Sequence, residues 1–569
     1  MSKMRWKHPQ SIEKSRIKLL SDSLNNLDVT LTEILIQRGI DSFDKAKSFF
    51  RPSLDEIHDP YLMKDMELAV SRIEKAISAK QKILIYGDYD VDGTTAVSLV
   101  YSFLIEYYDQ LAFYIPDRYK EGYGVSYAGI DFAKDNGFDL IIALDCGIKA
   151  LDKVTYAKEK GIDFIICDHH RPGDKIPDAV AVLDPKRIDC NYPYKDLSGA
   201  GVGFKLMHAF AIKQGIPFEK LGPLTDLLAV SIAADIVPMT GENRLLAFYG
   251  MQLINQNPRP GIAAMIASAQ LKKQALTITD VVFTIAPRIN AAGRIESGMR
   301  AVELLITTSK SEAEKYCKGI NNNNIERKEL DKDITQEALK MLEAHPNLSQ
   351  LRSTVLFNQD WHKGVIGIVA SRVIETYYKP TIILTESNGK ATGSARSVKG
   401  FDIYNAIDAC SEHLEQFGGH MYAAGLTMRL DKIEDFRVAF EDYVSAHISE
   451  DQLTPEIEVD AYLMLDQIND RFFKVLRQFA PHGPFNMRPV FETKGVTLFD
   501  EARIVGQDHL KIAVTNLKGT VLPCIGFGLG HYVEEIKDRA FDIAYVIEEN
   551  EFRGKKTLQL ILKDIKVQP

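Results

Sequence analysis

The sequence predicts an α/β protein of several domains: a parallel-sheet domain, a long connecting helix, a second α/β domain and a C-terminal OB-type β-barrel. Three observations carry this. From about 66 to 250, short apolar runs alternate with helical patterns, the signature of a parallel sheet. Residues 311–345 are polar, with apolar positions 313, 317, 320, 330, 334, 338 and 342 recurring mostly at helical spacing. Beyond about 450 the apolar runs shorten and are separated by turns, an all-β pattern of barrel size. A chain of 569 residues has room for several domains, and 45% hydrophobic residues is ordinary core material.

Residues 1–65 are charged and helix-like, with breaks near Pro52 and Pro60, and are expected to pack on the domain that follows. Residues 66–310 hold four apolar runs that each end in acid. Residues 83–86 precede Asp88, Asp90 and Asp92, with Gly93 turning into a helix; residues 140–144 precede Asp145. Residues 164–167 precede Asp168, His169 and His170, and residues 227–234 precede Asp235. Ligands of an open parallel sheet bind beyond the carboxyl ends of its strands, so these clusters are expected to converge on one edge. Like charges crowded there repel, and burial makes the ionised forms costlier, so a divalent cation is the usual resolution. Several carboxylates with few imidazoles suit Mn²⁺ or Mg²⁺ better than structural Zn²⁺. The ligands suffice for two ions, and paired metals suit in-line attack on phosphorus.

A formal charge of −9 advertises no basic surface, so phosphate contacts must come from local groups. Arg118, Arg288, Asn290, Arg294, Lys363 and Arg396 stand among glycines and small residues, where a backbone can approach a ligand closely. Gly199, Gly201 and Gly203 mimic a nucleotide fingerprint, but Phe204 occupies the sixth position of that motif, and the segment reads as tight backbone.

In the second α/β domain, 353–357 and 381–385 read as strands and 364–372 as a helix beginning among glycines. Ser394 and Arg396 offer a neutral donor and a bidentate fork for phosphate. His420 sits between Gly419 and the small run 423–425. The connecting helix carries Asn321 to Asn324, which weaken its middle. In the last region Phe485, Arg488 and Phe491 read either as stacking and phosphate contacts to a single strand or as barrel core.

Six cysteines without a Cys-x-x-Cys pair argue against a disulfide framework and a cysteine-rich zinc module. Residues 1–10 are polar and lack the apolar core of a signal peptide. No run approaches the roughly 18 apolar residues of a membrane span, so a cytoplasmic protein is expected.

The ordered set Asp88-Tyr-Asp90-Val-Asp92-Gly93, Ala143-Leu-Asp145-Cys-Gly147, Asp168-His169-His170 and Ala234-Asp235 resembles the motifs of the DHH phosphoesterases. Gly418-Gly419-His420 with Ala423-Ala424-Gly425 resembles the motif of their DHH-associated domain. With a third C-terminal region entered through residues 481–491, the whole resembles the RecJ family. That resemblance implies a DHH domain at 66–310, a helix at 311–345, a DHH-associated domain at 346–450 and an OB-fold-like nucleic-acid-binding domain at 451–569. It implies a 5′→3′ exonuclease of single-stranded DNA that serves repair and recombination, with a helicase and a single-strand-binding protein as fitting partners. Two Mn²⁺ or Mg²⁺ ions would be held by Asp88, Asp90, Asp92, Asp145, His169 and Asp235. Asp168 and His170 would be catalytic as ligands or as orienting groups, His170 also as a donor to the scissile phosphate. Ser394 and Arg396, with Arg118, match capture of the 5′-terminal phosphate, and His420 faces substrate. Two alternatives stay open: a phosphoesterase of short oligoribonucleotides or cyclic dinucleotides, and an inactive binding scaffold.

Overall fold

The structure, a computed structural model, describes residues 4–271, 273, 275–295, 297–552 and 554–568. The chain forms two compact units: a parallel-sheet unit (Arg38–Ile325 with Arg477–Arg488) and a barrel unit (Met1–Gln37, Glu326–Leu476 and Pro489–Pro569).

The N-terminal extension expected at 1–65 is divided between them. Strand β1 (Arg5–Lys7) pairs in parallel with Glu456–Glu458, far along the chain in the barrel unit. Trp6 anchors it, buried and donating from Nε1 to Asp564 Oδ2 at 2.8 Å. Only the part from Arg38 onward joins the parallel-sheet unit; residues 1–3 lie outside the described residues.

In the parallel-sheet unit, β2 (Lys82–Gly87), β3 (Leu111–Tyr114), β4 (Phe138–Leu144), β5 (Asp163–Cys167) and β6 (Ala181–Leu183) pair in parallel in the order β3-β2-β4-β5-β6. Alternate side chains feed two cores: Ile83, Ile85, Leu140 and Ile142 enter one, and Leu84, Tyr86, Ile141 and Ala143 the other. Because both faces are covered, the strands read as unbroken apolar runs. The winding reverses between β2 and β4, the switch point at which open sheets of this kind bind ligands. Asp88 and Asp145 directly follow those two strands.

One apolar run was not a strand. Residues 227–234 lie in helix Thr225–Ala234, where Leu227, Leu228, Val230, Ile232 and Ala233 are all buried. A helix apolar on every side belongs inside a core, and a short apolar run does not by periodicity distinguish that case from a buried strand.

Helix Lys310–Glu343 runs unbroken through Asn321 to Asn324. Ala313, Cys317 and Ile320 enter the core of the parallel-sheet unit, while Ile334, Ala338 and Leu342 enter a core of the barrel unit. Packing at both ends overrides the low propensity of the asparagines.

The barrel unit holds two further sheets. β7 (Thr354–Phe357), β8 (Thr381–Ser387), β9 (Lys390–Arg396), β10 (Gln416–His420) and β11 (Ala423–Arg429) form a sheet in the order β10-β11-β9-β8-β7, antiparallel except for β7–β8. β12 (Glu456–Glu458) receives β1. β13 (Ala461–Tyr462), β14 (Phe491–Leu498), β15 (Arg503–Val505), β16 (His509–Thr515), β17 (Val521–Gly526), β18 (Phe541–Phe552) and β19 (Lys555–Val567) make the last sheet. Pairings β14–β18, β18–β19, β19–β17, β17–β16 and β16–β14 close a five-stranded ring in which only β17–β19 is parallel. This is an OB-type barrel. Phe491 is fully buried in it, so of the two readings open for that residue the core applies.

Candidate metal centre and phosphate-binding surface

The acids at the switch point are each held by a defined local device. Asp88 Oδ1 accepts from Gly124 N at 3.1 Å. Asp90 caps helix Val91–Leu104 by accepting from Gly93 N at 3.0 Å. Asp92, on the first turn of that helix, accepts from Gly199 N (2.6 Å), Ala200 N (2.8 Å) and Ser231 Oγ (2.7 Å). Two helix N-termini therefore favour its negative charge. The glycine run at 199–203 opens helix Gly199–Gln214 behind the N-cap Ser198. Its role was missed in the sequence; Ser198 in front of the run is the signal, since a serine N-cap announces a helix start. A Cβ at Gly199 would meet Asp145 Cβ at 2.6 Å, so the approach requires glycine. Asp145 itself has φ 58°, an uncommon conformation for a residue other than glycine.

Four ligand atoms converge. His169 Nε2 lies 3.1 Å from Asp145 Oδ1, 3.5 Å from Asp235 Oδ2 and 3.7 Å from Asp92 Oδ2. Asp92, His169 and Asp235 form one group able to hold a cation, and Asp145, His169 and His170 another. Asp145 Oδ1, Asp88 Oδ2 and both ring nitrogens of His169 are buried and make no hydrogen bond within the protein. Buried polar atoms are almost always paired, so this cluster of orphans fits a divalent ion.

The electrostatics agree. Burial first, then the charge of Asp90, raises Asp88 to about 8. Burial and the charges of Asp92 and Asp90 raise Asp235 to about 9. Asp90 and Asp145 are raised by burial and neighbouring carboxylates as well. Burial chiefly, with His170 nearby, lowers His169 to about 4 and keeps its lone pairs available.

Asp168 is already satisfied. Its Oδ2 accepts from Ile148 N at 2.9 Å, and Oδ1 accepts from His169 N (2.7 Å), His170 N (3.1 Å) and His170 Nδ1 (2.7 Å). Burial alone would raise its pKa; the hydrogen bond and charge of His170 outweigh that and hold it down to about 2. Burial disfavours a charged His170, but the bond to Asp168 with the charges of Asp168, Asp235 and Asp92 raises it to about 9. His170 Nε2 faces the hydroxyl of Tyr123 at 3.1 Å. Neither Tyr123 nor the buried Asp184, which burial pushes up to about 7 and whose Oδ2 has no partner, was read from sequence.

Basic groups gather beside this centre. The Arg118 guanidinium sits 4.9 Å from the Tyr89 ring centre, and its charge acts on Asp88. Tyr119, next to Arg118, donates from its hydroxyl to the Arg294 carbonyl, and Gly293 lies against the Tyr89 carbonyl. Asn290 is half-buried on the same helix, Ala286–Ile295. Arg288 is buried, donating from Nη1 to the Thr284 carbonyl at 2.7 Å and leaving Nε unpaired.

The remaining candidates meet in the barrel unit. Register pairs Arg396 with Ala423 and Ala423 with His420, and likewise Ser394 with Gly425 and Gly425 with Gly418. Directly paired residues share a face, so Ser394, Arg396 and His420 stand on one face over a floor of small residues. Arg396 Nη1 donates to Ser394 Oγ at 3.1 Å. A Cβ at Gly367 would lie 2.9 Å from Ser394 Oγ and 3.0 Å from Arg396 Nη2, so the start of helix Ile366–Thr376 covers this pair. Lys363 lies on the loop entering that helix; Trp361 fixes the loop by donating from Nε1 to Glu337 Oε2 at 2.7 Å. A helix start, an arginine fork and a serine hydroxyl are together suited to an anion.

Family models match in chain order: the DHH family N-terminal domain at residues 82–232, the DHHA1 domain at 350–446 and the RecJ OB domain at 459–564. The single-stranded-DNA-specific exonuclease RecJ of Bacillus subtilis is 36% identical over 570 residues, covering 100% of this chain and 71% of that protein. Its Escherichia coli counterpart is 33% identical over 88% of this chain and 90% of its own length. RecJ from Thermus thermophilus in complex with Mn²⁺ superposes with a TM-score of 0.85 at 25% identity, over 99% of this chain and 80% of that one. An exonuclease RecJ bound to manganese matches with a TM-score of 0.60 at 30% identity, over 68% of this chain and 96% of that one. With three domain matches in order and identity above 30% over nearly its full length, the chain belongs to the RecJ family.

Proposed function

We propose that the chain is a metal-dependent exonuclease that degrades single-stranded DNA from its 5′ end to 5′-mononucleotides by two-metal phosphodiester hydrolysis. The observation that carries this reading is the convergence of Asp92, Asp145, His169 and Asp235 on one point, with unpaired buried ligand atoms among them. These four are assigned to one cation, and Asp88, Asp90 and Asp145 to a second. Bound Mn²⁺ or Mg²⁺ supplies charge to the phosphoryl oxygens and activates water.

The protein's own groups do the rest. Asp168 orients His170 and keeps it charged, and His170 Nε2 exchanges the Tyr123 hydroxyl for a phosphoryl oxygen as charge develops. Arg118, Arg294, Asn290 and the unpaired Nε of Arg288 are assigned to the strand near the metal centre. Ser394, Arg396, Lys363 and His420 are assigned to the terminal phosphate. The barrel supplies sequence-tolerant contacts to one strand, as OB folds do. We place the enzyme in the cytoplasm, in DNA repair and recombination, with a helicase and a single-strand-binding protein presenting its substrate. Among the described residues no helix is long and apolar enough to cross a membrane.

The test is Mn²⁺-dependent digestion of single-stranded DNA labelled separately at its two ends. The expected result is immediate release of mononucleotide from the 5′ label, blocked by a hairpin end. Cleavage only of short oligoribonucleotides or cyclic dinucleotides would move the protein to small substrates, and no cleavage at all would leave a binding scaffold.

A further inference from the structure

The loop between β3 and helix Tyr127–Asp135 carries Arg118 and Tyr123, and it holds one carboxylate that the chemistry above does not use. Glu121 is half-buried, and its two oxygens accept hydrogen bonds from three places along the chain. The Tyr114 hydroxyl, at the end of β3, lies 3.0 Å from Oε1 and 3.1 Å from Oε2. Asp117 N donates to Oε1 at 2.7 Å, and Ser126 Oγ donates to Oε2. Ser126 is in turn the N-cap of the helix, accepting from Gly129 N at 2.9 Å. One side chain thus ties the end of the strand, the start of the loop and the first turn of the helix to one another.

The two halves of the loop are secured differently. In the second half, the Tyr86 hydroxyl donates to the Gly124 carbonyl at 2.9 Å and accepts from Ser126 N at 3.2 Å. Gly124 N also donates to Asp88 Oδ1 at 3.1 Å. The first half, with Arg118, has a turn in which Asp117 Oδ1 accepts from Tyr119 N (2.9 Å) and Lys120 N (3.0 Å). The bonds of Glu121 to Asp117 N and Tyr114 attach that turn to the sheet. Gly122, which joins the halves, has φ 85°, a backbone state that glycine adopts freely and does not itself make rigid. The groups bonded to Glu121 are neutral, so its charge stands three residues from Arg118 where an anionic strand is to pass. Charge alone would there oppose binding, and the ties that it makes are what the position gains.

We propose that Glu121 is a positioning residue: its carboxylate fixes the turn at 117–121 so that the Arg118 guanidinium stays over Tyr89, set to receive a phosphate of the strand. The inference rests on the exonuclease reading and deepens it. A carboxylate suits the task because both oxygens accept, and the three donors converge on it without competing. An amide of the same shape has one accepting oxygen, and its nitrogen would bring hydrogens against a donor. Arg118 freed from its place loses a charge-assisted bond to phosphate, a loss on the order of tenfold in affinity.

Glu121→Gln and Arg118→Ala, singly and together, test it. Binding of a 5′-phosphorylated single-stranded oligonucleotide is read by fluorescence anisotropy in Ca²⁺ over a range of salt. Glu121→Gln should bind about tenfold more weakly, although it removes a negative charge. Its log–log slope of affinity against salt should flatten by about 0.7, the share of one phosphate contact on a single strand. In the Arg118→Ala background the same change should cost almost nothing further, because residues that act as one unit are not additive. Unchanged or tighter binding by Glu121→Gln would show that its charge alone matters and would overturn the proposal. An equal, additive loss in the Arg118→Ala background would overturn it as well, since Glu121 would then act apart from Arg118. Tyr114→Phe, which removes one donor to the carboxylate, carries the test should Glu121→Gln fail to fold; affinity equal to the parent's would then overturn the proposal. Mn²⁺-dependent digestion by the parent, measured first, reports on the exonuclease reading itself.

Discussion

Asp145 concentrates the tension of the site in one residue. Its carboxylate is buried among Asp92, Asp90 and Asp235, its φ is left-handed, and its Oδ1 lacks a partner. Asp145→Asn keeps the shape and removes one charge. In EDTA the variant should melt a few degrees higher, because about 1 kcal/mol of relieved repulsion moves a domain of this size by roughly 2–4 °C. Its activity should fall by more than about 100-fold, since even groups one step behind a metal ligand cost about 10- to 100-fold when replaced. A digestion time course beside thermal melts checks both directions. Gly199 is the reverse case, a residue with no side chain on which two carboxylates depend. Gly199→Ala places a methyl against Asp145 and cannot shift without moving the N–H donors to Asp92. Mn²⁺ affinity, measured by titration calorimetry, should weaken by about 10- to 100-fold while the protein stays folded. The acids were legible because each ends a short apolar run. The glycine was not, because its function is to be absent from a space defined by a residue 54 positions earlier.

Elements differ in what their sequences disclose. The strands β2, β4 and β5 announce themselves as apolar runs ending in acid. Helix Thr225–Ala234 does not, since burial on all sides erases the 3.6-residue pattern that marks a helix. Asp235 still lies at the cluster, because it is the C-terminal end of that run, strand or helix, that points at the switch point. The loop at residues 477–488 was the least legible element. It stands next in sequence to the barrel yet belongs to the parallel-sheet unit, through partners at Arg38, Met239 and Arg244 that no local pattern relates to it. Asn486 is its keystone, buried and bonded to two carbonyls and a guanidinium. Asn486→Ala removes the side-chain donor to the Phe479 and Pro481 carbonyls and should cost about 2–6 kcal/mol at roughly 1–3 kcal/mol for each of these two buried groups. Urea denaturation should show a lowered midpoint with an unchanged slope; a midpoint within error of the parent would mean the loop is held by its packing alone.

At the scale of the molecule, pH and metal both act on the parallel-sheet unit. His208 and His482 both lie in the parallel-sheet unit and are kept neutral, first by burial and then by Lys205 for the one and by Arg38 and Arg488 for the other. Their pKa values fall to about 4 and about 3, whereas an unfolded chain takes up these protons near 6.5. The unfolded state therefore binds more protons below pH 6.5. The stability that these two histidines contribute is complete above that value and declines on acidification by up to about 1.4 kcal/mol per pH unit for each, until the folded values are reached. Metal works in the opposite direction. Without it, Asp88 and Asp235 hold protons to about pH 8 and 9, so a cation must displace protons to bind, and its affinity should rise with pH. An ion that binds only the folded unit adds about 2.7 kcal/mol at 100 times its dissociation constant. Scanning calorimetry should resolve two transitions, one per compact unit, with Mn²⁺ raising only the transition of the parallel-sheet unit. That shift should be larger at pH 8 than at pH 6.5, and EDTA should reverse it. A shift of both transitions would mean that the barrel unit also binds the ion, and a shift independent of pH would mean that the ion's ligands are not the raised carboxylates at the end of β2 and beside His169.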